Sequence, residues 1–288
     1  MSRIRYDLCV RDTHLTLGRE TRIMGIINCT PDSFSGDGKV FLGKDSSACL
    51  RLARKFIRDG ADILDIGGES TRPGARRVAL SEEIRRVIPV IEKLAGRVSV
   101  PLSVDTSKPE VARRALDAGA SIVNNIRGTA LNRGFLKMIR DYKAGLVIMH
   151  MRGTPASMHR YAHYKDIVRE VIEELKISVE KCLEIGIKKD RIIVDPGIGF
   201  AKSLGQNLTL IRDLGRLNVL CCPILLGTSR KSFIGQVLQN EAGDRLMGTA
   251  VTLTAGVMQG AHIVRVHDVG AIKETMRMSD AILNADTR

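Results

Sequence analysis

Seven side chains able to bind or polarise a ligand stand at or just beyond the ends of short aliphatic runs: Asn28, Asp105, Asn124, Asp195, Lys231, Arg265 and His267. Two carboxylates and an amide accept from ring N–H and amine donors and donate to ring acceptors, which is the set needed to hold an aminopyrimidine-like heterocycle. Lys231, Arg265 and His267 are cations suited to a phosphate or carboxylate. Ser229-Arg-Lys-Ser232 leads into a helical pattern beginning near Ser232, and a helix N-terminus carrying a hydroxyl attracts anions.

Taken singly, most of these residues have a plainer structural reading. Asp105 would cap the helix that Pro109 begins, and Asp195 before Pro196 would make an Asx-turn. Asn124 would satisfy loop backbone, His267 would sit on the surface, and Ser232 would be an N-cap. Thr71-Arg72-Pro73 would be a rigid turn, and Phe34 a loop anchor. Arg265 resists such a reading, because it alternates with apolar neighbours in Ile263-Val-Arg-Val266 and a buried guanidinium needs an anion or an aromatic partner. The joint occurrence of these groups, in order and each after a predicted strand, outweighs the separate explanations.

The elements that must position them repeat one pattern. Arg22-Ile-Met-Gly-Ile-Ile-Asn28 reads as a buried strand with a polar residue at its carboxyl tip, followed by a loop rich in Gly, Pro and Ser. Further strands are expected at 62–66, 100–104, 121–124, 145–149, 191–194, 223–226 and 263–266. Helical patterns are expected at 46–59, from Ser81, at 109–119, 133–142, 165–185, from Ser232, at 248–256 and at the carboxyl end; no helix is assigned between the sixth and seventh strands. Such alternation fits a single-domain α/β (β/α)8 TIM barrel over residues 21–288, whose strand tips share one mouth. Residues 1–20 read as an N-terminal extension forming a short hairpin or lid.

Composition is ordinary for a soluble protein with a real core. Of the 288 residues, 44% are apolar and 3% aromatic with no Trp, which suits an aliphatic core around parallel strands. The formal charge of +13 is interleaved with Glu on amphipathic segments rather than gathered in a tail or stacking platform, so it favours small anionic substrates over nucleic acid. The six cysteines show no Cys-x-x-Cys pair and read as free thiols of a reducing compartment. With no membrane span and no apolar signal region, a cytoplasmic location is expected.

The motifs resemble those of the dihydropteroate synthase family. They are Asn28-Cys-Thr-Pro-Asp-Ser-Phe34, Gly60-Ala-Asp-Ile-Leu-Asp-Ile-Gly-Gly-Glu-Ser-Thr-Arg-Pro73, Ser103-Val-Asp-Thr-Ser-Lys108, Asp195-Pro-Gly-Ile-Gly-Phe200, Ser229-Arg-Lys-Ser232 and Arg265-Val-His267. The resemblance implies a transferase of folate biosynthesis that joins 4-aminobenzoate to (7,8-dihydropterin-6-yl)methyl diphosphate. It implies that Asp105, Asn124, Asp195 and Lys231 hold the pterin and Arg265 stacks on it. It places Asn28 on Mg²⁺ and the diphosphate, with Arg72, Arg265 and His267 on the phosphates. Phe34, Thr71, Pro73, Lys231 and Ser232 would line the aminobenzoate site, and a homodimer is implied.

Asn125 departs from the family's usual Asp, Cys29 from an aliphatic residue, and Ser35-Gly-Asp-Gly38 from the usual loop order. Two other readings stay open at this point: a pterin-binding barrel that transfers a methyl group, and a non-catalytic paralogue.

Overall fold

In the computed structural model, which describes residues 3–30, 46–69, 77–128, 131–155, 157–240 and 245–285, eight parallel strands follow one another around a barrel. An antiparallel pair, β1 (Tyr6–Val10) and β2 (Thr13–Leu17), precedes them. The barrel strands are β3 (Arg22–Asn28), β4 (Ile63–Gly67), β5 (Leu102–Asp105), β6 (Ile122–Asn125), β7 (Gly145–Met149), β8 (Ile192–Asp195), β9 (Leu225–Leu226) and β10 (Ile263–Val266). Their spatial order is β8-β7-β6-β5-β4-β3-β10-β9, and a parallel bridge between Val194 and Ile224 brings the two ends together.

Around them lie α1 (Ser46–Arg58), α2 (Leu80–Leu94), α3 (Pro109–Asp117), α4 (Arg133–Asp141), α5 (Ile167–Glu184), α6 (Leu204–Arg212), α7 (Ser232–Leu238), α8 (Leu246–Met258) and α9 (Val269–Leu283). Sequence reading passed over α6. A capping box starts it, Ser203 Oγ accepting from the Gln206 amide while the Gln206 side chain accepts from the Ser203 amide. β9 is shorter than the expected 223–226 for a local reason: Pro223 has no N–H, and the Ile224 N–H is donated to the His262 ring at 3.1 Å.

Strand alternation sorts the barrel interior into layers. Met24, Ile63, Ile122, Val147, Ile193, Leu225 and Ile263 form an apolar layer with Leu8, Val10 and Leu17 of the hairpin. The hairpin therefore plugs the amino end of the barrel and is no lid over the strand tips. Two residues further along the same strands, pointing to the same face, the chain places Asp65, Asn124, Met149, Asp195, Gly227 and Arg265. The intervening residues, such as Ile27, Leu64, Val194 and Val264, face outward into the larger core beneath the helices.

Candidate active site at the carboxyl end of the barrel

Arg265 is the hub of the polar layer. Its Nε donates to Asp65 Oδ2 at 2.6 Å and its Nη2 to Asp105 Oδ2 at 2.7 Å, while Asn124 Nδ2 donates to the same Asp65 oxygen at 3.0 Å. Burial alone would lower the arginine pKa, but the two carboxylates outweigh it and keep the guanidinium charged. Burial pushes Asp105 up to about 7 against the pull of Arg265, with Asp65 and Glu83 adding to the rise. The helix-cap reading of Asp105 fails: Lys108 occupies the cap of α3, and Asp105 turns inward.

Asp195 combines both sequence readings. Its Oδ1 accepts from the Gly197 amide at 2.7 Å, an Asx-type turn, yet the carboxylate is buried beside the other site charges. Burial raises its pKa, opposed by the Gly197 bond and by Lys231, Arg265 and Lys202. Lys231 reaches in from the N-cap of α7, donates to the Ile198 carbonyl at 2.7 Å and lies 3.8 Å from the Phe200 ring centroid. Burial lowers it to about 7, Asp195 pulling the other way.

Two glycines make this loop possible. A Cβ on Gly197, at φ +69°, would lie 2.0 Å from the His150 carbonyl oxygen, and one on Gly199, at φ +81°, 2.8 Å from Lys231 Cδ.

His267 and Arg230 stand at the rim. His267 Nδ1 lies 3.0 Å from Ser229 Oγ, and the His267 amide donates to the same oxygen. Asp268 pairs with Arg230 at 2.5 Å, fixing the loop before α7. Ser232 is the first residue of α7 and exposed, the cap position itself being Lys231. Asn125 turns away from the pocket question altogether: its Oδ1 accepts from the Arg127 amide at 2.8 Å in a local turn.

Phe34, Thr71, Arg72 and Pro73 lie outside the described residues. The flanks of residues 70–76 are nonetheless tied down. Lys108 bonds Glu69 at 2.6 Å and also Glu83, and Glu69 accepts from the Val78 amide at 2.8 Å. Glu83, fully buried, accepts from Thr106 as well.

Asn28, Gly67 and Asp105 are cross-strand neighbours on β3, β4 and β5. Asn28 Oδ1 and Asp105 Oδ2 each lie 3.8 Å from where a Gly67 Cβ would be, so glycine leaves open the space between them. Among the described residues no cluster of three His, Cys, Asp or Glu is placed to hold a metal. The Asn28 amide oxygen fits a divalent ion that takes its other ligands from phosphate and water, Asp105 Oδ2 being already held by Arg265.

Sequence reading missed two participants. Asp65 was identifiable in principle, as a lone carboxylate in Ile63-Leu-Asp-Ile66 in step with Ile63 on the inner face. Lys202 carried no such signal, because a lysine after a glycine-rich loop reads as solvated.

Residues 24–267 match the family described as pterin binding enzyme. The dihydropteroate synthase of Synechocystis is 42% identical over 276 residues, covering 96% of this chain and 94% of that protein. A solved dihydropteroate synthase from Xanthomonas albilineans with 4-aminobenzoic acid superposes with a TM-score of 0.87 at 39% identity, covering 97% and 98% of the two chains. One from Clostridium difficile, in the presence of pteroic acid, gives 0.85 at 43% identity over 92% and 98%. A polar layer of this composition, on a barrel so similar to theirs, leaves one conclusion: the chain belongs to the dihydropteroate synthase family of pterin-binding enzymes.

Proposed function

We propose that this transferase condenses (7,8-dihydropterin-6-yl)methyl diphosphate with 4-aminobenzoate, giving 7,8-dihydropteroate, diphosphate and a proton. The observation that carries the reading is the inward set Asp105, Asn124, Asp195 and Lys231 beside Arg265. It offers acceptors and donors for a pterin edge and a guanidinium plane for its face.

An arylamine is a weak nucleophile, so the rate must come from making the methylene electrophilic as diphosphate leaves. Asp105 and Asp195 stabilise positive charge developing on the pterin, while Arg72, Arg265 and His267 receive the departing negative charge. Mg²⁺ supplies further neutralisation of the diphosphate when bound, and Asn28 is the residue that would hold it. Phe34, Thr71, Pro73, Lys231 and Ser232 form the aminobenzoate site in this reading, closed by the loops after β3 and β4 so that water does not capture the cation. The named relatives give no support to a methyl-transferring or non-catalytic alternative.

The partners are these two small molecules and a second copy of the chain. Gly248 and Gly256 face inward, where a Cβ would meet Ile234 at 2.3 Å and Leu226 at 2.1 Å. Outward, Met247 and Val251 of α8 are 74% and 66% exposed, and a dimer contact through this helix would cover them. No described helix is long and apolar enough to cross a membrane. The six cysteines are free thiols, as suits a protein working in the reducing cytoplasm.

The test is direct: purified protein, dihydropterin diphosphate, Mg²⁺ and 4-aminobenzoate should yield dihydropteroate and diphosphate in equal amounts. Pterin binding without product would sink the synthase reading, and a monomer by sedimentation would remove the dimer.

A further inference from the structure

Behind the pterin pocket lies a second buried polar chain with no role in the reaction above. Lys202 Nζ is 2.9 Å from the Phe200 carbonyl, 3.0 Å from the Gly197 carbonyl and 3.0 Å from His150 Nδ1. Three short acceptors use all three ammonium protons, so none remains for a substrate. His150 Nε2 lies 3.1 Å from Glu174 Oε2, and since a carboxylate only accepts, that nitrogen carries the imidazole proton and Nδ1 presents its lone pair to Lys202. Arg152 holds Glu174 from the far side, with Nε at 2.8 Å, and also bonds Glu170.

We propose that Lys202, set by His150 and Glu174, is a positioning residue for the pterin-reading loop. From the side that substrate does not touch, it fixes the Gly197 and Phe200 carbonyls and supplies Asp195 with a counter-charge. Those carbonyls flank the Ile198 carbonyl that Lys231 grips and the Gly197 amide that Asp195 accepts from. The inference rests on the pterin-binding reading.

The electrostatics agree with the geometry. Asp195 is faced by Lys231 from the start of α7, Arg265 from β10 and Lys202 from its own loop. Burial lowers Lys202 to about 7, opposed first by Asp195 and then by Glu174, while Lys231 and Arg152 add to the lowering. His150 is held at about 4 by burial and by Lys202.

The test is pterin binding to the full chain as a function of pH, with one fluorescent pterin used throughout so that the probe's own titration cancels. In Lys202→Met the loss of the facing cation should raise the pH at which protonation of Asp195 weakens binding by about one unit. Lys202→Arg, which keeps the charge, should restore that limb. Should Lys202→Met fail to fold, Glu174→Gln serves: it removes an anion supporting Lys202, so the basic limb should move to lower pH. An acid limb unmoved in folded Lys202→Met, or a basic limb unmoved in Glu174→Gln, overturns the proposal. Because binding needs no turnover, a wild-type protein that binds pterin but makes no dihydropteroate would sink the synthase reading while this comparison still decides the role of Lys202.

Discussion

Arg265 Nε lies 2.6 Å from Asp65 Oδ2, joining the eighth barrel strand to the second at the floor of the pocket. Among the described residues the other Asp65 oxygen is buried without a hydrogen-bond partner, and Arg265 and Asn124 hold this carboxylate. The pair does more than neutralise charge. With Nε on Asp65 and Nη2 on Asp105, the plane of the guanidinium is fixed by two strands, as the stacking proposed above requires.

Asp65→Asn should therefore lower both stability and catalysis. Weakening a buried ion pair is costly, and a fall in melting temperature of roughly 5–10 °C is expected. A freed guanidinium plane should reduce kcat/KM for the pterin diphosphate by about 100-fold. Steady-state kinetics on the folded variant decide the point: near-normal kcat/KM would mean that Asp105 alone orients Arg265.

Lys231 should make the ligand-free protein less stable than it need be, in a pH-dependent way. An unfolded lysine keeps its proton to about pH 10.4, whereas Lys231 in the pocket keeps it only to about 7. Between those values the folded state binds fewer protons than the unfolded one. The folding penalty is thus fully present below pH 7 and fades as pH rises toward the unfolded value. Lys231→Met should gain about 2–4 °C in melting temperature at pH 6 and little at pH 10, while losing activity at both. Equal gains at the two pH values would show that the effect is packing and not charge.

Much of the site was legible because strand alternation and aliphatic runs are strong signals. Asn28, Asp105, Asn124, Asp195 and Arg265 each end or interrupt such a run, and the barrel then forces their meeting. Asp65 lies inside its strand and not at the tip, although the period of two that exposes Arg265 also exposes it. The helix α6 was hidden by Gly205 and the polar Asn207, which dilute its periodicity despite the Ser203–Gln206 capping box. Lys202 and His150 could not be paired from sequence, since the contact spans 52 positions and neither residue type announces burial. The hairpin could have covered either end of the barrel; Leu8, Val10 and Leu17 decide it only once the apolar interior layer is seen.

Lys108 gives a prediction about the loop after β4. It bridges Glu69 and the buried Glu83, and Glu69 in turn receives the Val78 amide, so both flanks of residues 70–76 depend on one ammonium. Lys108→Met leaves Glu83 buried with Thr106 as its remaining side-chain partner among the described residues, which should cost stability of roughly 3 kcal/mol. If Thr71 and Pro73 line the aminobenzoate site, the KM for 4-aminobenzoate should rise by about tenfold or more, with a smaller change in pterin affinity. Kinetics that shift the pterin KM first would place this brace with the other substrate.

Ser232 offers the cleanest separation of the two subsites. It opens α7 on the surface side, whereas Lys231 beside it turns inward to Ile198 and Phe200. The first amides of a helix and a nearby hydroxyl favour an anion, and the carboxylate of 4-aminobenzoate is the anion that must stay in place while the amine at the other end of the ring attacks. If Ser232 receives that carboxylate, Ser232→Ala removes one hydrogen bond to a charged group, worth about 1.5–3 kcal/mol. The KM for 4-aminobenzoate should therefore rise by about 10- to 100-fold while the KM for the diphosphate substrate and the melting temperature stay near their starting values. A larger effect on the diphosphate substrate would move Ser232 out of the aminobenzoate site and leave Lys231 as the residue of this motif assigned to it.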